Sequence, residues 1–322
     1  MKKVYYYKGP TPRKSNHRLA AIPLFFIVLI LLLTSAGVFY FHSSKKEAVL
    51  AVETQAKPEA VPVPTIYNDV LKQSVDNALR GTTGSYGIVV KNLDTAEHYE
   101  FNEHVVYDTA SLYKLWVMAV VFEQVKSGKL KEDTVLSQDV SVLNKKFNIA
   151  SDSAGLTEGS VTLTVKDALY KMITISDNYA AMLLTQKVGL STITSYLSRN
   201  GFYETKMGAT VNLPTTTPHD VALFFEKLYG NKLGDKTSTD KMLELLKDQK
   251  LNNKIPRYLP DDIVIAHKTG ELDEYTHDAG LILDARGNYL IVIMSKSEKP
   301  DLAANRIADI SKAIYSHYID KK

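Results

Sequence analysis

Three short polar motifs, widely spaced and in a fixed order, constrain the fold of this chain more than any other feature. They are Ser111-Leu112-Tyr113-Lys114, Ser176-Asp177-Asn178 and Lys268-Thr269-Gly270. Each alone is weak evidence, since Ser43-x-x-Lys46 and Lys126-Ser127-Gly128 match two of the patterns elsewhere. Taken singly, the motifs also suit a helix cap, an Asx turn and a strand end. Together they predict that distant segments converge on one pocket.

The first motif opens an apolar segment. Residues 111–126 are mostly apolar around the whole helix surface, which predicts a buried helix. Thr109 is the predicted N-cap, and Gly128 stands where a left-handed residue ends a helix. Ser111 is then in the first turn, with Lys114 about one turn further on the same face. This places a hydroxyl and an amine at the positive end of a helix dipole.

Such a pairing suits nucleophilic chemistry. A serine hydroxyl is a poor nucleophile, and a lysine serves as its base only when neutral, which burial and nearby cations favour. We expect Lys114 to take the proton of Ser111, Ser176 to relay a proton to a leaving nitrogen, and Asn178 to hold a substrate amide.

The third motif falls at the end of a predicted strand, residues 262–269, which is rich in branched apolar residues. This strand lays Lys268 and Thr269 along one wall of the cleft. We expect Lys268 to bind a substrate carboxylate and also to keep Lys114 neutral by like-charge repulsion.

Other catalytic signatures are absent from the sequence. It has no Gly-x-Ser-x-Gly elbow, His-Glu-x-x-His helix or Walker-type loop, and no cysteine. We therefore predict no metal and no cofactor. His267 and His277 flank the third motif, but a lone histidine near a strand end is more often structural, so neither receives a role.

The order of elements predicts an α+β fold. Strands are expected near both ends of the domain, with helices between them, which implies an antiparallel sheet built from distant segments plus an inserted helical lobe. The last two strands, 278–284 and 289–296, are predicted to join at a hairpin turn over 286–288. A helix near 301–318 is predicted to close the chain.

The three motifs and their order resemble those of class A β-lactamases and penicillin-binding proteins, over roughly residues 65–322. The resemblance implies a β-lactamase/transpeptidase-like fold, an antiparallel sheet flanked by helices with an inserted all-helical lobe. It implies an oxyanion hole formed by the backbone N–H groups of Ser111 and Glu271. It also implies an acyl-enzyme on Ser111, with Asn178, Lys268, Thr269, Gly270 and Glu271 binding the substrate.

One departure from the family concerns deacylation. Class A β-lactamases carry a glutamate, followed by leucine and asparagine, on a loop before the segment that corresponds to Thr215–Pro218. The only acid here is Glu204, followed by Thr-Lys-Met-Gly, and the loop looks short. β-Lactam hydrolysis is the first prediction, with Glu204 as the candidate deacylation base. Alternatively, Glu204 is a solvent-facing residue on a short strand or turn. The alternatives are a penicillin-binding D,D-peptidase that acts on peptidoglycan stem peptides and deacylates slowly, and a non-catalytic wall-binding or sensing module.

The N-terminal segment predicts membrane attachment. Residues 1–18 are basic without an acid, 19–41 are apolar and long enough to span a bilayer, and 42–64 form a proline-containing tether before the hydrolase domain, 65–322. The basic flank predicts a cytoplasmic N-terminus and an extracytoplasmic domain. A cleaved signal peptide, processed near residues 34–36, is the alternative. The net charge of +3 gives no reason to expect a nucleic-acid partner.

Overall fold

A computed structural model of the chain describes residues 66–67, 69–151, 153–208 and 213–319. The predicted basic tail, membrane span and tether lie outside these ranges. Within them, no helix combines the length and apolar character needed to cross a bilayer.

Ten strands and nine α-helices occur in the described residues. The strands are β1 Ile66–Tyr67, β2 Ser85–Asn92, β3 Glu97–Phe101, β4 Tyr107–Asp108, β5 Val135–Asp139, β6 Ser160–Thr164, β7 Thr215–Thr216, β8 Val264–Leu272, β9 Tyr275–Asp284 and β10 Gly287–Lys296. The helices are α1 Asp69–Leu79, α2 Lys114–Lys126, α3 Val140–Lys146, α4 Val165–Thr174, α5 Asn178–Val188, α6 Leu190–Arg199, α7 Pro218–Tyr229, α8 Lys236–Lys247 and α9 Pro300–Ile319. Short 3₁₀ turns cover Ala110–Tyr113 and Ile255–Tyr258.

The main sheet has six strands in the order β1-β3-β2-β10-β9-β8. Its strands come from both ends of the described chain, as the sequence predicted, and β8 is left as an edge strand. Neighbours are antiparallel except β1 and β3, which pair in parallel. The purely antiparallel sheet of the prediction therefore needs this correction at its far edge.

Both faces of the sheet are buried because apolar residues occupy both sets of alternating positions. On β10, Leu290 and Val292 belong to the core shared with α2 and α7, while Ile291 and Ile293 belong to the core shared with α1 and α9. The central strands thus lie between two helical layers.

The inserted lobe is not entirely helical, contrary to the prediction. It contains an antiparallel two-stranded sheet of β5 and β6, in which Val135 lies opposite Thr164. The alternating Ser160–Thr164 segment is rich in β-branched residues, which favour an extended strand. β4 and β7 form a further two-stranded pair beside the first motif.

Several local predictions are confirmed. Thr217 caps α7 with its side chain, Pro218 begins that helix, and Gly128 has a left-handed φ of 73° after α2. The hairpin between β9 and β10 turns one residue earlier than predicted, because Asp284 pairs with Gly287.

Candidate active site

Ser111 lies in the 3₁₀ turn that leads into α2, rather than in the helix itself. Thr109 occupies the predicted N-cap position, before the 3₁₀ turn, but its side chain makes no capping bond. Thr109 has helical dihedral angles, and its hydroxyl donates to the Ala110 carbonyl oxygen at 3.0 Å instead of capping. Ala110 has a positive φ of 43°, and its N–H donates to Asp108 Oδ1 at 2.7 Å. This buried contact holds a strained turn directly before the serine.

Gly270 allows the edge strand β8 to approach this turn. A Cβ atom at Gly270 would lie 3.1 Å from the Thr109 carbonyl oxygen and 3.3 Å from Ala110 Cβ. The glycine of the third motif is therefore required for a close approach of two backbones.

Lys114 is fully buried at the start of α2, and its amine reaches the second motif. The Nζ atom donates to the Ser176 carbonyl oxygen at 2.6 Å, to Ser176 Oγ at 3.1 Å and to Asn178 Oδ1 at 2.8 Å. Burial lowers the pKa of Lys114 to about 7, against an opposing effect of Asp177. A neutral amine, which a general base requires, is thus accessible near neutral pH.

Lys268 is also fully buried, on β8, and bonds the same hydroxyl. Its Nζ atom donates to Ser176 Oγ at 3.0 Å and to the Thr269 carbonyl oxygen at 2.9 Å. Burial, followed by the charge of Lys114, lowers the pKa of Lys268 well below its usual value. The repulsion between the two amines contributes to the lowered pKa of Lys268, second to burial, whereas the lowered pKa of Lys114 is caused by burial, so the predicted effect of Lys268 on Lys114 is not the main one.

Ser176 joins the two amines. Its backbone is left-handed, with a φ of 59°, and Asp177 caps α5 by accepting from the Ala180 N–H. A hydroxyl oxygen has two lone pairs and one proton to donate. With both lone pairs facing the Lys114 and Lys268 amines, its proton is directed elsewhere, as a relay to a leaving group requires.

The remaining residues predicted to bind substrate lie on β8 and at the start of α5. Thr269 is buried, whereas Asn178 is exposed at the first position of α5. The Glu271 side chain is 59% exposed, and its carboxylate pairs with the Lys254 amine. The oxyanion hole at the N–H groups of Ser111 and Glu271 remains a prediction.

Glu204 lies in a different set of contacts. Its carboxylate accepts from Thr217 Oγ1 at 2.6 Å and lies 2.9 Å from His104 Nδ1. Burial opposes ionisation, but these hydrogen bonds outweigh it and lower the pKa of Glu204. None of these partners belongs to the three motifs, so the role of Glu204 as deacylation base stays a prediction.

Two buried residues near the third motif were not assigned from the sequence. Lys254 is fully buried, and its amine donates to Asn253 Oδ1 at 3.0 Å besides its pair with Glu271. It stands in a polar segment with several other lysines, so no sequence signal distinguishes it. Its charge adds to the effects that lower the pKa of Lys268.

His277 is the second. Its Nδ1 accepts from the Ser295 N–H at 3.1 Å, which leaves Nε2 to donate to the Asp108 carbonyl oxygen at 2.8 Å. Burial lowers the pKa of His277 to about 4, so the ring is neutral at physiological pH. It links β9 and β10 to the strand that precedes the Ser111 turn. The other flanking histidine, His267, contacts Asp278 and Asn252 away from these amines.

The chain was also compared with known proteins. A sequence model described as the Beta-lactamase enzyme family matches residues 70–318. A β-lactamase of Bacteroides uniformis is 25% identical over 276 residues, which cover 76% of this chain and 90% of that protein.

Solved structures share the fold. A β-lactamase from Sphaerobacter thermophilus has a TM-score of 0.68 at 23% identity, covering 78% of this chain and 98% of that one. The L158E mutant of PBP-A, solved as an acyl-enzyme complex with penicillin G, has a TM-score of 0.69 at 21% identity, covering 78% and 96%. These similarities confirm the α+β architecture, and the family model covers most of the chain. The chain therefore belongs to the β-lactamase enzyme family of serine hydrolases.

Proposed function

We propose that this protein forms an acyl-enzyme on Ser111 with β-lactams and releases the acyl group slowly. Ser111 is the nucleophile, Lys114 its base and Ser176 the relay to the leaving nitrogen. Lys268 and Thr269 hold the substrate carboxylate, and Asn178 its amide. The observation that carries the proposal is the pair of buried amines, Lys114 and Lys268, on the single hydroxyl of Ser176.

Formation of the acyl-enzyme needs a base that is neutral in the resting protein. Burial supplies it, because taking two amines out of water penalises their charged forms. At Lys268 the charge of Lys114 adds to that penalty and lowers the pKa further. In the proposed mechanism a neutral Lys114 is the base for Ser111, three positions earlier in the sequence, and a charged Lys268 holds the substrate carboxylate.

Slow release follows from the contacts of Glu204. Hydrolysis of an acyl-enzyme needs an aligned base and water. The Glu204 carboxylate is held by Thr217 and His104, and its lowered pKa makes it a weaker base. No other acid stands between Glu204 and Asp220 in the sequence. These contacts favour a penicillin-binding peptidase over an efficient β-lactamase. The natural substrate of such a peptidase would be the D-Ala-D-Ala ends of stem peptides.

Time-resolved intact mass spectrometry with benzylpenicillin tests the proposal. We expect a covalent adduct of one penicillin mass that persists over many minutes, and no adduct on Ser111→Ala. A brief adduct with steady loss of the drug would indicate an efficient β-lactamase instead. The absence of any adduct on the parent chain would contradict acylation and favour a binding module.

The same measurement on Glu204→Gln distinguishes an efficient β-lactamase from a penicillin-binding peptidase. If Glu204 does not activate the deacylating water, the adduct lifetime should change by less than about twofold. If it does, the lifetime should increase by about 10² or more, the usual contribution of a general base. The second outcome would restore Glu204 to its predicted role.

The acylation rate is expected to depend on pH through Lys114. Its pKa is about 7, and the charged amine cannot accept the Ser111 proton. The second-order rate constant for adduct formation should therefore fall about tenfold per pH unit below pH ~7 and level off above it. Stopped-flow measurements with a chromogenic cephalosporin check this. A flat profile between pH 5 and 8 would contradict a base titrating near 7.

We also propose that the domain faces the cell exterior on a single membrane anchor. The support is the apolar segment 19–41 with its basic flank. Membrane fractionation of the full chain, followed by protease access to intact cells, tests this topology. Recovery of the chain in the soluble fraction would contradict it.

A further inference from the structure

Two histidines and a glutamate from three separate segments meet on the surface near α7. His104 lies between β3 and β4, Glu204 follows α6, and His219 is the second residue of α7. One ligand-capable atom of each lies within 4.8 Å of the other two. Imidazole nitrogens and a carboxylate oxygen are the ligands that zinc takes in sites with three protein ligands.

One ring nitrogen of each histidine lies near a carboxylate other than that of Glu204. His219 Nδ1 is buried 3.4 Å from Asp220 Oδ1, and neither atom has a hydrogen-bond partner in the described part of the chain. His104 Nε2 lies 3.8 Å from Glu103 Oε1. Histidines that ligate metals usually direct their second nitrogen toward a carboxylate, which fixes the ring and raises its basicity.

The other nitrogen of each ring is then the one available to share an ion with Glu204. His104 Nδ1 is 2.9 Å from Glu204 Oε1, and the two imidazole ring centroids are 4.9 Å apart. Because His219 Nδ1 faces Asp220, its Nε2 is left for the cluster.

The distances suit a small adjustment rather than a rebuilt site. A tetrahedral ion with bonds of about 2.1 Å holds its ligand atoms about 3.4 Å apart. The side chains of His104, Glu204 and His219 are 58%, 35% and 39% exposed, so none of them is enclosed by the protein on all sides.

Charge favours a cation here as well. Glu103, Glu204 and Asp220 place three carboxylates around two imidazoles, and a divalent ion offsets this negative charge better than a single proton on His104 does.

We propose that His104, Glu204 and His219, none of which belongs to the three motifs, form a binding site for a divalent cation of the zinc class. The ion would tie the segment after α6 to the β3–β4 loop and to the start of α7. Glu204 would then serve as a ligand, which withdraws its carboxylate further from any part in deacylation.

Isothermal titration of the full, untagged chain with Zn²⁺ in detergent tests the site. Matched variants are His104→Gln, His219→Gln and, as control, His98→Gln, whose Nδ1 lies 3.1 Å from the Ala96 carbonyl oxygen and which is not part of the cluster. We expect one saturable site in the parent and the control, with Zn²⁺ affinity at least about tenfold weaker in both cluster variants. Thermal melts should rise with Zn²⁺ only where binding persists.

The variants keep the backbone bond from the His219 N–H to the Glu103 carbonyl oxygen, and circular dichroism verifies that each is folded. Parent-like affinity in both cluster variants would overturn the proposal, as would the lack of saturable binding to the parent. Weakening in only one of the two variants would also overturn it, because the site requires both imidazoles.

Discussion

Lys114→Met is expected to slow the acylation of Ser111 by benzylpenicillin by between about 10² and 10⁴, the range of a lost general base. The methionine side chain fills a similar volume but offers no atom that accepts the serine proton. It also removes three donor contacts to Ser176 and Asn178, so the relay loses its fixed position. The rate of adduct formation, measured by mass spectrometry at saturating drug, gives the effect.

Lys166→Met provides the matched control, since Lys166 is an exposed lysine near the start of α4. It should acylate at the parent rate. The pH profile adds a second readout, because the residual rate of Lys114→Met should lose its dependence near pH 7. An acylation rate within about tenfold of the parent, in a folded variant, would show that another group takes the proton and would direct attention to Lys268.

The convergence of the three motifs on one site was predictable, because a chain that carries all three in this order has few functions for them other than a shared catalytic site. The structure brings Lys114 and Lys268, 154 positions apart in the sequence, to the same Ser176 hydroxyl. Their predicted roles follow from chemistry that residue identity alone carries. The local backbone was less predictable. Thr109 precedes the first turn as predicted, but its hydroxyl makes no capping bond, and this turn is a 3₁₀ turn rather than the start of the α-helix.

Contacts across long sequence separations account for what the sequence did not predict. Lys254 resembles its exposed neighbours until the fold brings Glu271 to it. Glu204 was predicted from its place before Thr215–Pro218, whereas its partner His104 stands 100 positions earlier. The cation site combines that same pair with His219, which no local spacing indicates.

The parallel pairing of β1 with β3 has the same origin. The direction of β1 is visible only in its pairing with β3 at the edge of the sheet, where Ile66 lies opposite Glu97. Two residues carry too little pattern to predict pairing. By contrast, α2 was predictable because its apolar residues surround the helix, as burial on all sides requires.

Gly280→Ala is expected to destabilise the domain by about 3 kcal/mol, toward the upper end of the usual cost of overpacking. Gly280 lies on β9 opposite His267 of β8. A Cβ atom there would lie 2.4 Å from the Ala266 carbonyl oxygen and 2.6 Å from His267 Cβ. Both neighbours belong to β8 at the point where the strand leads into Lys268, so β8 must move away from β9.

The displaced strand affects stability and chemistry together. For a domain of this size, a loss of about 3 kcal/mol lowers the melting temperature by about 6–12 °C. The acylation rate should also fall, because Lys268 and Thr269 move with β8 relative to Ser111. Gly155→Ala is the matched control, since a Cβ at Gly155 meets only Tyr179 Cε2, at an ordinary 3.7 Å. Calorimetry and the mass-spectrometric assay measure the two effects. An unchanged melting temperature in Gly280→Ala would mean that β8 accommodates the methyl group without moving, and the wall formed by the third motif would then be less rigidly placed than its buried contacts imply.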